Sequence, residues 1–140
     1  MMPLMNMLNF LMLIDDNEIT NFYHEDLIRD MQIAREFKIF NTSTSALDYL
    51  KKVIDNEVTR PDLILLDIKM PDLDGFDLLH ELEEYSIDSA EMLNIIILTS
   101  STLKRDREMA DRFPFLKGFV EKPLTEDKLN ALLEKLNNGQ

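Results

Sequence analysis

Residues 61–75 read Pro61-Asp62-Leu63-Ile64-Leu65-Leu66-Asp67-Ile68-Lys69-Met70-Pro71-Asp72-Leu73-Asp74-Gly75. Arg60-Pro61-Asp62 breaks the helical pattern before it. Leu63 to Leu66 follow without a polar interruption, and the Asp67 carboxylate stands where the run ends. An unbroken aliphatic run of this kind is the pattern of a strand covered by helices on both faces, as in parallel sheets. The arrangement recurs along the chain. Leu11-Met12-Leu13-Ile14 runs into Asp15-Asp16, Ile95-Ile96-Ile97-Leu98 runs into Thr99-Ser100, and Lys122-Pro123 closes the run begun by Gly118-Phe119-Val120. In an open parallel sheet the C-terminal ends of the strands form one rim, where α/β folds place their ligands. Carboxylates, a hydroxyl and a lysine on that rim point to a divalent cation and a phosphoryl group.

Working outward, short apolar runs alternate with helical patterns. Strands are predicted at 8–14, 36–41, 62–67, 94–99 and 117–121, and helices at 17–32, 44–57, 75–86, 103–113 and 125–137. Such alternation implies βαβ units and a mainly parallel sheet. Asn17 and the Thr42–Ser45 cluster supply helix caps. Ala46, Leu47, Leu50, Val53 and Ile54 fall on one helical face, as do Leu129, Leu132, Leu133 and Leu136, with Gly139 beyond the last helix. The mixed run Glu36-Phe37-Lys38-Ile39-Phe40-Asn41 reads as an edge strand, and 85–93 as a longer connection. Ile19, Phe22 and Tyr23 cover the sheet or dock a partner, with at least one of them expected in the core.

At 140 residues the chain is the size of a single domain, here residues 8–138 with 1–7 as a loose lead-in. It has no cysteine, so neither a disulfide framework nor a thiol nucleophile is expected. A formal net charge of -12 opposes a nucleic-acid partner and an anionic membrane surface. The Met/Leu-rich start lacks a basic n-region, since the first basic residue is Arg29, and its apolar run ends at Asp15-Asp16 rather than at a cleavage site. No apolar stretch reaches the roughly 18 residues that span a bilayer. A soluble cytoplasmic protein follows as the simplest expectation.

The ordered set Asp15-Asp16, Asp67 with Met70-Pro71 and Gly75, Thr99-Ser100 and Lys122-Pro123 resembles the receiver domain of two-component response regulators, including single-domain CheY-like members. The resemblance covers nearly the whole chain. It implies an α/β, (βα)5 doubly wound, five-stranded parallel sheet of the flavodoxin/CheY-like type, with strand order 2-1-3-4-5. That order sets the first and third strands side by side, so Asp15, Asp16 and Asp67 converge. It also implies Mg²⁺ held by Asp15, Asp16, Asp67 and the backbone carbonyl of Lys69, with Asp67 as phosphoacceptor and Lys122 and Thr99 assisting. The phosphoryl donor would be a sensor histidine kinase or a histidine phosphotransfer protein. Thr99 and Phe119 would switch the surface of the fourth helix, fifth strand and fifth helix, which also admits a homodimer. A cis bond at Lys122-Pro123 is expected, and Gly75 is expected to serve a turn that needs positive φ.

Each element alone is ordinary. Asp15-Asp16 fits a solvated helix start, Asp67 a strand-end turn, Lys122 a surface lysine, and Phe119 plain packing. His24 and His80 lack metal-ligand spacing and read as surface or half-buried structural residues. The methionines read as core filler and part of the loose N-terminus. Two other functions use some of the same parts. A haloacid-dehalogenase-type phosphatase needs a second aspartate two residues after the nucleophile, where this chain has Lys69, and its acidic pair comes late rather than first. A degenerate receiver used only for binding would lack Asp67, Lys122 or the acidic pair. The expected activity is therefore self-catalysed phosphoryl transfer and hydrolysis, not enzymatic turnover.

Overall fold

A computed structural model describes residues 7–137. Ten elements alternate: β1 (Leu8–Ile14), α1 (Glu18–Met31), β2 (Ala34–Phe40), α2 (Ser43–Ile54), β3 (Leu63–Leu66), α3 (Gly75–Ala90), β4 (Ile95–Thr99), α4 (Lys104–Ala110), β5 (Gly118–Glu121) and α5 (Glu126–Asn137). The strands pair in the order β2-β1-β3-β4-β5, all parallel. The expected doubly wound sheet is therefore present. β2 is the edge its mixed sequence implied, although it begins at Ala34 rather than at residue 36. The lead-in before Met7 and Gly139 lie outside the described residues.

Period-two alternation divides the aliphatic strands between two cores. Met12, Ile14, Ile64, Leu66, Ile95 and Ile97 face α2, α3 and the Phe113–Phe115 turn. Leu11, Leu13, Leu63, Leu65, Ile96 and Leu98 face Ile28 of α1 and Leu129, Leu132 and Leu133 of α5. With both faces covered, every residue of β3 and β4 is buried, at about 1.5–3 kcal/mol of transfer free energy for each large aliphatic side chain. The predicted caps form: Asn17 Oδ1 accepts from the Thr20 N–H, and the Thr42 side chain accepts from the Ser45 N–H.

Several local expectations are corrected. The segment 85–93 is not all connection, because α3 continues to Ala90 after a single non-helical residue, Ser86 (φ -168, ψ 99). The Ser86 hydroxyl accepts from the Ser89 N–H at 3.3 Å, so it caps the last turn and lets the helix restart. Nearby, the Tyr85 hydroxyl donates to Asp55 at 2.6 Å and the Lys51 ammonium lies over the Tyr85 ring. On α1 none of the three aromatic or aliphatic residues joins the core: Ile19 is 83% exposed, Phe22 73% and Tyr23 46%. Conversely, His24 is fully buried rather than exposed or half-buried.

Candidate functional site: an acidic cluster at the C-terminal rim

Asp67 directly follows β3, and its backbone N–H donates to the Ile14 carbonyl at 2.9 Å, which ties it to the end of β1. Asp15 is buried, and its N–H donates to Phe40 of β2. The switch in strand order between β1 and β3 thus opens a crevice flanked by Asp15, Asp16 and Asp67. Carboxylate oxygens of these three residues lie within 4.8 Å of one another. Asp15 and Asp67 are buried and Asp16 is exposed.

Lys122 enters from the far side of the sheet. Its backbone N–H donates to the Thr99 carbonyl at 2.7 Å, and the Lys122–Pro123 bond is cis, as expected. The ammonium donates to Asp15 Oδ2 at 2.6 Å and stands 3.5 Å from Asp67 Oδ1. In this state its tighter partner is Asp15, not the residue it was expected to serve. Asp15 is further held by the Asn17 N–H on Oδ1 and by the Asn21 side-chain amide on its carbonyl. Asn21 was not singled out from the sequence, although its place four residues after the cap Asn17 puts it on the same helical face.

Burial pushes the Asp67 carboxyl from 3.8 up to about 6; the Lys122 ammonium opposes this, while the Asp15 and Asp16 carboxylates add to it. Three carboxylates against one ammonium leave two negative charges uncompensated among the described residues of the cluster. That excess, presented by oxygen donors alone, matches a hard dication such as Mg²⁺ or Mn²⁺.

The remaining predicted residues fall around this centre. Leu66 pairs with Ile97, so Thr99 on β4 lies just beyond the level of Asp67. Thr99 is buried and its hydroxyl oxygen accepts from the Ser101 N–H at 3.1 Å. Ser101 in turn donates its hydroxyl to Asp106 of α4. The Lys69 side chain is exposed. Phe119 is half-buried against the core that includes Phe113 and Phe115, with the Arg107 guanidinium 4.8 Å from its ring centre.

Gly75 does not need positive φ. Its constraint is space: a Cβ there would meet the Asp67 carbonyl oxygen at 2.7 Å and the Ile68 Cα at 2.9 Å. Gly75 therefore lets α3 start directly against the backbone of the candidate site. Both ring nitrogens of His24 lack a hydrogen-bond partner among the described residues. Burial holds this imidazole down at about 4; Lys122 pushes the same way and Asp15 opposes it.

A family profile described as the response regulator receiver domain matches residues 11–134. The chain belongs to this family. Among curated relatives, the receiver is 28% identical over 116 residues to the polar-differentiation response regulator DivK of Brucella anthropi, covering 81% of this chain and 84% of the relative. It is 29% identical over 125 residues to an uncharacterised 14.6 kDa protein of Leptolyngbya boryana, covering 89% and 87%. Among solved structures, a two-component response regulator from Cytophaga hutchinsonii superposes with a TM-score of 0.83 at 25% identity, over 96% of this chain and 99% of that one. The receiver domain of the sensor histidine kinase PA1611 of Pseudomonas aeruginosa PAO1 superposes at 0.74 and 22% identity, over 93% and 98%. That structure carries a magnesium ion coordinated in its active-site cleft. Among the described residues of this receiver no helix is long and apolar enough to cross a membrane.

Proposed function

We propose that this receiver is a phosphoacceptor of a two-component or phosphorelay system, with Asp67 receiving the phosphoryl group. The observation that carries the reading is the convergence of Asp15, Asp16, Asp67 and Lys122 from three separate strand ends. The donor is a phosphohistidine on a sensor kinase or histidine phosphotransfer protein in the cytoplasm. An Asp67 carboxylate oxygen attacks phosphorus, the P–N bond breaks, the imidazole leaves and takes up a proton, and an acyl phosphate remains.

Asp15, Asp16 and Asp67, with the Lys69 carbonyl, hold Mg²⁺ in this reading. When bound, the ion supplies neutralising charge to the phosphoryl oxygens. The chain's own groups do the rest. Asp67 is ionised at neutral pH despite its raised pKa. Lys122, already 3.5 Å from Asp67, shifts its weight from Asp15 to the incoming phosphoryl oxygens. Thr99 exchanges the Ser101 N–H for a bond it donates to the same group. That exchange and a turn of Phe119 alter the face of α4, β5 and α5, where a downstream protein or a second copy of the chain binds. The exposed Ile19, Phe22 and Tyr23 of α1, beside the rim, form the docking contact for the donor.

Acetyl phosphate with Mg²⁺ tests the assignment by intact-protein mass spectrometry. The mass rises by one phosphoryl group in wild type and not in Asp67→Asn. Absence of labelling from any donor with Mg²⁺ present overturns it, and steady turnover of small phosphate esters favours a phosphatase instead.

A further inference from the structure

Helix α2 starts at Ser43 with no acidic residue in its first turn. The loop after β3 supplies the missing anion. The buried Ser43 hydroxyl donates to Asp72 Oδ1 at 2.7 Å, and the Thr44 N–H and hydroxyl donate to Asp72 Oδ2 at 3.2 and 3.1 Å. Asp72 thus caps, from a distant loop, a helix whose first N–H groups have no intrahelical partner. The Ser43 hydroxyl, with help from Thr44 and Leu73, holds the Asp72 carboxyl well below the usual carboxylate range. The bond also works in the other direction, because it fixes the loop to the helix.

That loop begins at Asp67. Its far end is pinned where the Gly75 N–H donates to the Ile68 carbonyl at 2.7 Å. Between these points Met70 is buried, Pro71 has a fixed φ, and Lys69 points its side chain to solvent. Among the described residues, Asp72 is the one side chain of 68–73 that hydrogen-bonds another secondary-structure element. We propose that Asp72 is a positioning residue: its clamp on Ser43 and Thr44 sets the path of Ile68–Pro71 and with it the place of the Lys69 carbonyl. The clamp makes α2 part of the metal site without contributing a ligand to it.

This rests on the Mg²⁺ reading above, and the experiment separates the two. Amide hydrogen exchange in chelator reads the loop without metal, and calorimetric titration with Mg²⁺ alone reads the site. In Asp72→Ala, amides of 68–73 exchange faster and Mg²⁺ affinity falls about tenfold, the size seen when a group supporting a ligand is removed. Asp72→Asn keeps one acceptor oxygen for Ser43 but loses the Oδ2 acceptor that Thr44 uses, so both readouts fall between wild type and Asp72→Ala. Ser43→Ala weakens the same clamp from the helix side and adds little on top of Asp72→Ala. It serves on its own if Asp72→Ala does not fold. Unchanged loop exchange or unchanged Mg²⁺ affinity in the folded variants overturns the proposal, even if global stability drops. If wild type binds no Mg²⁺, the metal reading falls and takes the role of the clamp with it, whatever the exchange data show.

Discussion

Neutralising Asp67 without changing its shape, as in Asp67→Asn, is expected to stabilise the metal-free fold. The carboxyl moves from an ordinary 3.8 in the unfolded chain to about 6 when folded. At about 1.4 kcal/mol for each unit, the ionised carboxylate costs the folded state about 3 kcal/mol at neutral pH. Lys122 does not lose its anchor in the variant, because its 2.6 Å bond is to Asp15. The sign follows from proton binding. Between pH 3.8 and about 6 the folded state holds the proton and the unfolded chain does not, so wild type loses stability as pH rises through that window. The gap between variant and wild type is therefore small near pH 4, grows as pH rises, and reaches its plateau of about 3 kcal/mol above about pH 7. At this chain length that plateau is about 10 °C in Tm. Urea denaturation in chelator at several pH values measures it, and His24, common to both proteins, cancels in the difference. Saturating Mg²⁺ narrows the gap, since about 100 times Kd adds about 2.7 kcal/mol to the protein that binds it. A variant no more stable than wild type at pH 7.5 in chelator, or a gap that does not change with pH, refutes the reasoning.

Other outcomes follow from single contacts. His24→Leu removes an imidazole that falls from 6.5 to about 4 on folding. Its contribution is present above pH 6.5 and is lost as pH drops toward 4, so the variant escapes an acid-side loss of about 3 kcal/mol in unfolding free energy; parallel pH profiles for the two proteins would contradict this. Gly75→Ala places a methyl against two backbone atoms of Asp67 and Ile68. It is expected to cost about 1–3 kcal/mol by urea midpoint, and a wild-type midpoint would show that the loop gives way freely. Lys122→Met leaves Asp15 buried without its ammonium. A loss of about 3 kcal/mol is expected in chelator, partly recovered by Mg²⁺, and a neutral effect would mean that the pair contributes nothing.

The rim was legible because its signals are local. Each aliphatic run is bounded by a polar residue that the fold brings to the candidate site, and the burial of β3 and β4 on both faces follows from their lack of alternation. What escaped was set by partners far along the chain. Asp72 meets Ser43 across 29 residues, and no local pattern announces the pair. Lys122 stands closer to Asp15, 107 residues away, than to Asp67, a contact between the ends of β5 and β1 that no local pattern shows. Ser86 interrupts the helical pattern and hides the last turn of α3, which its own hydroxyl then caps. On α1 the apolar residues Ile19, Phe22 and Tyr23 turn to solvent while His24 and Asn21 turn inward. Hydrophobicity alone assigns that face the wrong way round, because the inward side borders a polar site rather than a pure hydrocarbon core. Gly75 was recognised as required, but the cause is a close backbone approach, which no single sequence displays.

The most direct measurement is a crystal structure of the protein with Mg²⁺ and beryllofluoride. One metal bound by carboxylates of Asp15, Asp16 and Asp67, beryllium attached to an Asp67 oxygen, and Lys122 and Thr99 on its fluorines is the predicted result. Beryllofluoride on another residue, or Mg²⁺ bound away from the Asp67 carboxylate, contradicts the account.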